Sequence, residues 1–252
     1  MFPEFLKFKN TIVVTVIMLV IISCSSTKKL KNTPIGLINN VSYQDSSFDN
    51  SNASNGFLVA HNGNIYAITA KHVLMTAKTD AMKFIDFEGG LKEWKMQPKN
   101  DSTKYIIVDK LLNTNNKDSL TWSYMNTHWD TYEDWLVFSV KENKTNHTPL
   151  SFRKKPLKKG ELLYAVGWTY KDTVGSQSAY EYKFDATEGN FHNLIQISGP
   201  KSLGGLSGAP IVDNQGKIVG LVSSGGEDEN TKEVLLQATD IKHAFEFISN
   251  MK

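Results

Sequence analysis

Four features that would narrow the class of this protein are scarce or absent in its sequence. It has one cysteine, Cys24, so no disulfide can form within the chain and the fold must be stabilised by packing. Its net charge is only +2, which gives no basis for a nucleic-acid partner. No solenoid-type repeat is visible, and no apolar run reaches the roughly 20 residues that span a bilayer.

The composition that remains is typical of a globular, β-rich protein. The chain has 252 residues, 40% of them hydrophobic, which is enough material for a core. Many short apolar runs are separated by Gly, Asn, Asp and Lys, a pattern that favours strands over helices. Near the C-terminus, apolar residues at 241, 244, 245 and 248 have helical spacing. The sequence therefore predicts an all-β protein with a short C-terminal helix.

The first 54 residues have the composition of a targeting segment followed by a spacer. Lys7 and Lys9 precede a stretch of about a dozen apolar residues, which is typical of a secretory signal. We predict a signal peptide over residues 1–23, with an uncleaved membrane anchor as the alternative. Residues 24–54 are rich in Ser, Asn, Lys and Asp, which predicts a flexible tether.

Cys24 stands at the end of the predicted signal peptide. Residues 21–24, Ile-Ile-Ser-Cys, resemble the bacterial lipoprotein cleavage box. That resemblance implies cleavage before Cys24 and attachment of lipid to its sulfur and new amino group. The alternative is a chance cysteine at the end of an ordinary signal. We expect an exported bacterial protein of the periplasm or cell envelope, attached to a membrane through this lipid.

The first chemical signal is a serine between small residues. Residues 204–210, Gly-Gly-Leu-Ser-Gly-Ala-Pro, lead into an apolar strand that begins near Ile211. Small neighbours let a substrate carbonyl approach Ser207 and leave backbone N–H groups free to face a developing oxyanion. Gly/Ser loops are also common turns, so this segment alone does not establish a nucleophile.

Two upstream segments place a histidine and an acid beside apolar strands. Asn62-Gly63 predicts a hairpin, and its second strand ends in residues 68–72, Ile-Thr-Ala-Lys-His. Asp134 directly precedes the apolar run at 135–140. A serine hydroxyl needs a base to take its proton, and histidine can do so while a carboxylate orients the ring.

The order His72, Asp134, Ser207 resembles that of the trypsin-like serine proteases, and among them the disulfide-free bacterial Deg-type members. The resemblance covers about residues 55–250. Four segments carry it: the histidine motif at 68–73, the aspartate motif at 134–137, the Gly-x-Ser-Gly-Gly-Pro motif at 205–210 with Ala209 for its second glycine, and the substrate-pairing strand at 220–225.

The resemblance implies two six-stranded antiparallel β-barrels with a short C-terminal helix. The first barrel would comprise residues 55–145 and the second residues 146–252, because a polar break at 141–149 separates the two halves. Leu206 stands where the digestive enzymes carry an aspartate that pairs with a new N-terminus. Activation by such an ion pair is therefore not expected.

The implied site has three groups of residues. The catalytic residues would be His72, Asp134 and Ser207, and the backbone N–H groups of Gly205 and Ser207 would form the oxyanion hole. The residues expected to bind substrate are Lys201, near the floor of the specificity pocket, and Ser223, Ser224 and Gly225, along one wall.

The resemblance implies a serine endopeptidase that acts on polypeptides through an acyl-enzyme and uses no cofactor. The alternative is a protease-like binding protein that keeps the barrels with little or no turnover. An α/β-hydrolase is rejected, because its Ser–acid–His order would need Asp240 and His243 on one predicted helix. A metal site at His61, or at His128 with Asp130, is not expected, because zinc ligands have closer paired spacing.

Overall fold

The computed structural model describes residues 27–77, 90–113, 122–172 and 175–251. The predicted signal peptide and Cys24 lie outside these residues, so both stay predictions. The described part begins with helical residues 27–32. Within the four described ranges, no helix is both long enough and apolar enough to cross a membrane.

The first barrel is closed by six antiparallel strands in the order β1-β2-β3-β6-β5-β4. Short helices α1 and α2 lie in the β3–β4 and β5–β6 connections. The strands are β1 (Leu37–Tyr43), β2 (Asn55–His61), β3 (Asn64–Thr69), β4 (Leu91–Gln97), β5 (Ile106–Leu111) and β6 (Leu136–Asn143); the helices are α1 (His72–Ala77) and α2 (Trp122–Thr127).

The second barrel is also closed by six antiparallel strands, in the order β10-β11-β12-β9-β8-β7. Helix α3 (Lys242–Asn250) follows the second barrel. The predicted fold class is confirmed. The strands are β7 (Leu162–Gly167), β8 (Ser178–Glu188), β9 (Phe191–Ser198), β10 (Pro210–Val212), β11 (Ile218–Glu227) and β12 (Val234–Asp240).

The predicted hairpin joins β2 to β3. His61 pairs with Asn64, so Asn62 and Gly63 form a two-residue loop, and their φ angles are +49° and +80°. Two successive positive φ values match the right-handed twist of the flanking strands, and Asn-Gly adopts them at low cost. Strand β3 of this hairpin ends at Thr69, three residues before His72.

The prediction of a flexible tether over residues 24–54 is wrong for its described part. Strand β1 pairs with β2 and β4, and Leu37 and Val41 are fully buried in the first barrel. The first barrel therefore begins at Leu37 rather than at residue 55. The Ser/Asn-rich composition belongs mostly to the turn after β1, whereas β1 itself supplies apolar side chains to the core.

Residues 27–36 also pack against the folded domain. Leu30 and Ile35 are 4% and 2% exposed. The carboxamide of Gln177 accepts hydrogen bonds from the N–H groups of Ile35 and Gly36, at 3.1 and 2.8 Å, and donates to the Leu30 carbonyl at 2.7 Å. This segment is therefore docked on the second barrel.

The two barrels share one hydrophobic core across their interface. Phe57 and Ile68 of the first barrel belong to the same buried cluster as Tyr164 and Leu221 of the second. Helix α3 follows the second barrel but packs on the first, where Phe247 lies 5.7 Å from Trp135 between ring centroids. The shared core and helix α3 therefore both hold the two barrels in one relative position. A site assembled from residues of both barrels requires this.

Candidate active site

His72 and Asp134 form a buried pair at the interface. Strand β3 pairs with β6 so that Thr69 lies opposite Leu136, which brings the residues just after β3 beside those just before β6. The His72 backbone N–H donates to Asp134 Oδ1 at 2.8 Å, and its ring Nδ1 lies 2.7 Å from Asp134 Oδ2. His72 is 8% exposed and Asp134 is fully buried.

This geometry determines the protonation of both groups. A carboxylate beside Nδ1 requires the proton on that nitrogen, which leaves Nε2 as a free acceptor. Burial disfavours the imidazolium, but the charge and hydrogen bond of Asp134 outweigh it and raise the pKa of His72. Burial also disfavours the carboxylate, yet contacts with His72 and Ser223 hold the pKa of Asp134 below its usual value. The pair therefore suits a histidine base held by an ionised acid.

Ser223 has a role that the sequence did not predict. It was predicted to line the substrate wall, but its hydroxyl donates to Asp134 Oδ2 and its side chain is buried. The β11–β12 register shifts between Val222 and Ser224, and such bulges redirect side chains. A residue of the second barrel thus contacts the acid of the first.

The loop that carries Ser207 lies against the segment that precedes His72. Asn55 N donates to the Ser207 carbonyl and Gly208 N donates to the Val222 carbonyl, both at 2.8 Å. Gly208 has a φ of +75°, and a Cβ there would overlap the Asn55 carbonyl and the Thr69 hydroxyl. Only glycine allows this approach, which brings Ser207 to the side of the interface where His72 lies.

Among the described residues, no hydrogen bond joins the Ser207 hydroxyl to the His72 ring. Such bonds are often long before substrate binds and tighten in the complex. The structure thus brings the loop and the His72–Asp134 pair to one place, with the serine side chain partly exposed.

The predicted oxyanion donors lie in a turn with an unusual backbone. Gly205 has a φ of +88°, and a Cβ there would meet the Tyr170 ring at 2.7 Å. The N–H groups of Gly205 and Ser207 have no hydrogen-bond partner within the described part of the chain. Leu206 is fully buried in the core of the second barrel. Packing of Leu206, with no charge involved, therefore holds the middle of this turn.

The other residues predicted to bind substrate differ in their surroundings. Lys201 is exposed, and its place at a pocket floor stays a prediction. The Ser224 hydroxyl donates to Gln237 Oε1 at 3.0 Å. Gly225 lies against Leu203, since a Cβ there would meet Leu203 Cδ1 at 2.7 Å.

One edge of β11 is open beside these residues. β10 pairs with β11 only as far as Leu221, whereas β12 follows β11 to Glu227. In the described ranges, no strand pairs with the other edge of residues 223–227. An extended peptide can add to such an edge through backbone hydrogen bonds.

Two exposed aromatic residues flank the site and were missed from the sequence. Trp122, at the start of α2, is 48% exposed and its ring centroid lies 6.3 Å from that of His72. Tyr170 is 55% exposed and covers Gly205. No local signal marks either residue, because their positions depend on the folding of two connections between strands.

The histidines considered as metal ligands have other partners. His61 packs edge-on against Phe245, with ring centroids 5.2 Å apart. His128 stacks on Tyr124, with centroids 4.1 Å apart, and the side chain of Asp130 lies outside the described part. No group of three or more His, Cys, Asp or Glu side chains suited to a metal occurs among the described residues.

Comparison with solved structures shows which known proteins share this fold. The chain is similar in structure to the Rv3671c protease in an inactive form, with 11% identity, a TM-score of 0.53, and 91% of this chain and 93% of that one covered. It is likewise similar to an inactive serine-to-alanine mutant of Rv3671c from M. tuberculosis H37Rv, with 11% identity, a TM-score of 0.51, and coverages of 89% and 88%. At such identity these likenesses show the fold alone.

Sequence comparison goes further than the structural likeness. No curated protein sequence matches the chain significantly. The family model of the trypsin-like peptidase domain, however, matches residues 54–221, about two thirds of the chain and including all three motifs. The chain belongs to the trypsin-like peptidase family.

Proposed function

We propose that the protein is a serine endopeptidase that hydrolyses peptide bonds through an acyl-enzyme on Ser207. The observation that carries this proposal is the buried His72–Asp134 pair, with 2.7 Å between Nδ1 and Oδ2. It leaves His72 Nε2 as a base beside the loop of Ser207. A buried histidine serving only the fold would not need an ionised, fully buried carboxylate, which is costly to desolvate.

Acylation would begin with attack of Ser207 Oγ on the carbonyl carbon of the scissile bond. The hydroxyl proton passes to His72 Nε2, and the carbonyl π electrons move to oxygen. The N–H groups of Gly205 and Ser207 donate to that oxyanion, each typically worth about 10²–10³ in rate. Asp134 stays ionised and stabilises the imidazolium.

Breakdown of the tetrahedral intermediate would release the first product. The C–N bond breaks as His72 returns its proton to the leaving amine, leaving an ester on Ser207. Water then attacks the ester while His72 again accepts a proton, and the acid product leaves as the Ser207 hydroxyl is restored. No cofactor enters either half of the reaction.

The open edge of β11 supports an extended polypeptide as substrate. Backbone groups of residues 223–227 would pair with the peptide as an added strand. Trp122 and Tyr170 would contact side chains near the scissile bond, since each lies against a catalytic element and is about half exposed. This arrangement favours apolar side chains at the positions next to the bond.

The N-terminal features support export and membrane attachment. A lipid on Cys24 would be only three residues from Thr27, whose hydroxyl donates to Glu181 of the second barrel. The catalytic domain would then be held close to the membrane surface. If Cys24→Ser leaves the protein in the membrane fraction of cells, the lipid attachment is wrong.

Peptide hydrolysis tests the enzyme against its alternative, a protease-like binding protein with little turnover. The protein from residue 25 is assayed on fluorogenic casein, with Ser207→Ala and the neighbouring exposed Ser202→Ala as a matched control. We expect hydrolysis by the wild type and the control only. Folded wild-type protein that binds casein without cleaving it would favour the binding protein.

A further inference from the structure

Asn55 is a buried asparagine at the contact between the two barrels and the Ser207 loop. It is the first residue of β2 and is fully buried. Its Nδ2 donates to the Gly205 carbonyl at 2.6 Å and to the Trp168 carbonyl at 2.8 Å. Its Oδ1 accepts from Trp168 N at 3.0 Å. One carboxamide therefore joins the first barrel, the end of β7 and the loop.

The backbone of Asn55 contacts the same loop. Its N–H donates to the Ser207 carbonyl at 2.8 Å, so Asn55 binds two carbonyls that flank Leu206. Gly167 permits the close approach, because a Cβ there would overlap Asn55 Oδ1. The site is thus shaped around this side chain.

The peptides that carry the two oxyanion donors lie next to those that Asn55 holds. Tyr170 N donates to the Gly204 carbonyl at 2.9 Å, and a planar trans peptide then directs the Gly205 N–H to the opposite side. Two successive glycines rotate freely unless they are held. The Leu206 carbonyl accepts from Ala209 N at 3.0 Å, which holds the peptide that carries the Ser207 N–H. The Asn55 carboxamide holds the 205–206 peptide, between the two peptides that carry the oxyanion donors.

From this arrangement, and resting on the proposed function, we infer that Asn55 is a positioning residue. Its carboxamide holds the Gly205–Ser207 turn so that both N–H groups face the oxyanion. It touches no reacting atom and acts through the loop. Its loss should therefore reduce stabilisation of the transition state while leaving ground-state binding of the peptide nearly unchanged.

Two substitutions separate this role from simple support of the interface. Asn55→Asp keeps an acceptor for Trp168 N but replaces the donor with a carboxylate oxygen facing two carbonyls. Asn55→Ala removes the donor without adding a charge, and it carries the test if the buried charge prevents folding. All variants are made in the full chain and assayed below their melting transitions.

Gln177→Ala is the matched control. Gln177 is also a buried carboxamide, 4% exposed, with backbone partners in residues 30–36, and no hydrogen bond joins it to the Ser207 loop. Its loss should lower the melting temperature without changing kcat. The control therefore measures the effect of a lost buried amide on stability alone.

The readouts are kcat, KM and the inhibition constant of a peptide aldehyde, whose adduct with Ser207 carries an oxyanion. We expect both Asn55 variants to lose about 10²-fold in kcat, as for one lost oxyanion donor, with little change in KM. Inhibition by the aldehyde should weaken by the same factor as kcat falls. A folded Asn55→Ala with wild-type kcat, or activity that falls only with melting temperature as in Gln177→Ala, would overturn the inference. A wild type without turnover would instead overturn the proposed function.

Discussion

Ser223 of the second barrel donates its hydroxyl hydrogen to Asp134 of the first. The acid that orients His72 is therefore bound from both barrels, and the relative position of the barrels affects the base directly. Asp134 Oδ1 accepts from the His72 backbone, while Oδ2 accepts from the His72 ring and from Ser223. A fully buried carboxylate with this set of donors can stay ionised without contact with water.

Ser223→Ala should destabilise the protein more than Ser224→Ala. A hydrogen bond to a buried charged group contributes about 1.5–3 kcal/mol, whereas the Ser224 hydroxyl binds a neutral amide that is partly exposed. Denaturant unfolding at neutral pH measures the difference in the free energy of unfolding. Equal losses of unfolding free energy in the two variants would show that the contact of Ser223 with Asp134 does not stabilise the fold.

The pH dependence of kcat/KM should follow the ionisation of His72. Only the neutral imidazole accepts the serine proton, so activity is lost as the pH falls through the pKa of His72. Because Asp134 raises that pKa above its ordinary 6.5, the acid limb should have its midpoint above pH 6.5. A pH–rate profile with a midpoint below that value would contradict the assignment.

Asp134→Asn should change both the rate and the profile. Loss of the carboxylate favours the wrong tautomer of His72 and costs about 10⁴-fold in kcat. Burial then lowers the pKa of His72 with no opposing charge, so the remaining activity should persist to lower pH. The pH–rate profile of this variant tests whether Asp134 raises the pKa of His72. An acid limb at the same pH as in the wild type would show that another group sets that limb.

Trp122→Ala should raise KM without lowering kcat. The ring lies beside His72 and would contact substrate in the ground state and the transition state alike, so about a tenfold loss in affinity is expected from its apolar area. Phe48→Ala is the control, because Phe48 is also 48% exposed but packs against Tyr43. The two variants are compared on one peptide, and an equal effect on KM would exclude a substrate contact at Trp122.

Removal of residues 25–36 should destabilise the domain. Leu30 and Ile35 are buried, and each such side chain contributes about 1.5–3 kcal/mol. The thermal melting of proteins beginning at residue 25 and at residue 37 can be compared directly. A flexible tether would leave the two melting temperatures equal.

Local sequence patterns predict part of the fold. The Asn62-Gly63 turn requires two positive φ values that few residue pairs tolerate, so the hairpin and the end of β3 followed from it. The fold itself followed from family motifs in order. Strand β1 was missed because its asparagines and the Ser/Asn-rich turn after it have the composition of a linker, and because the buried Asn39 interrupts the alternation of apolar residues.

The contacts that complete the site depend on register between distant strands. Asn55 meets Gly205 across 150 residues of sequence, and Ser223 meets Asp134 across 89. Neither pairing leaves a local pattern, because each requires both barrels to be closed and docked. The bulge at Ser223 adds a change of direction that alternation along β11 does not predict.

The proposed catalysis depends on activation of Ser207 Oγ by His72 Nε2 in the cleft between the barrels. Labelling with a fluorophosphonate probe, with the modified residue located by peptide mass spectrometry, tests it most directly. We predict a single adduct on Ser207 in the wild type, and loss of labelling in both Ser207→Ala and His72→Ala. An adduct on another residue, or undiminished labelling of folded His72→Ala, would contradict the claim.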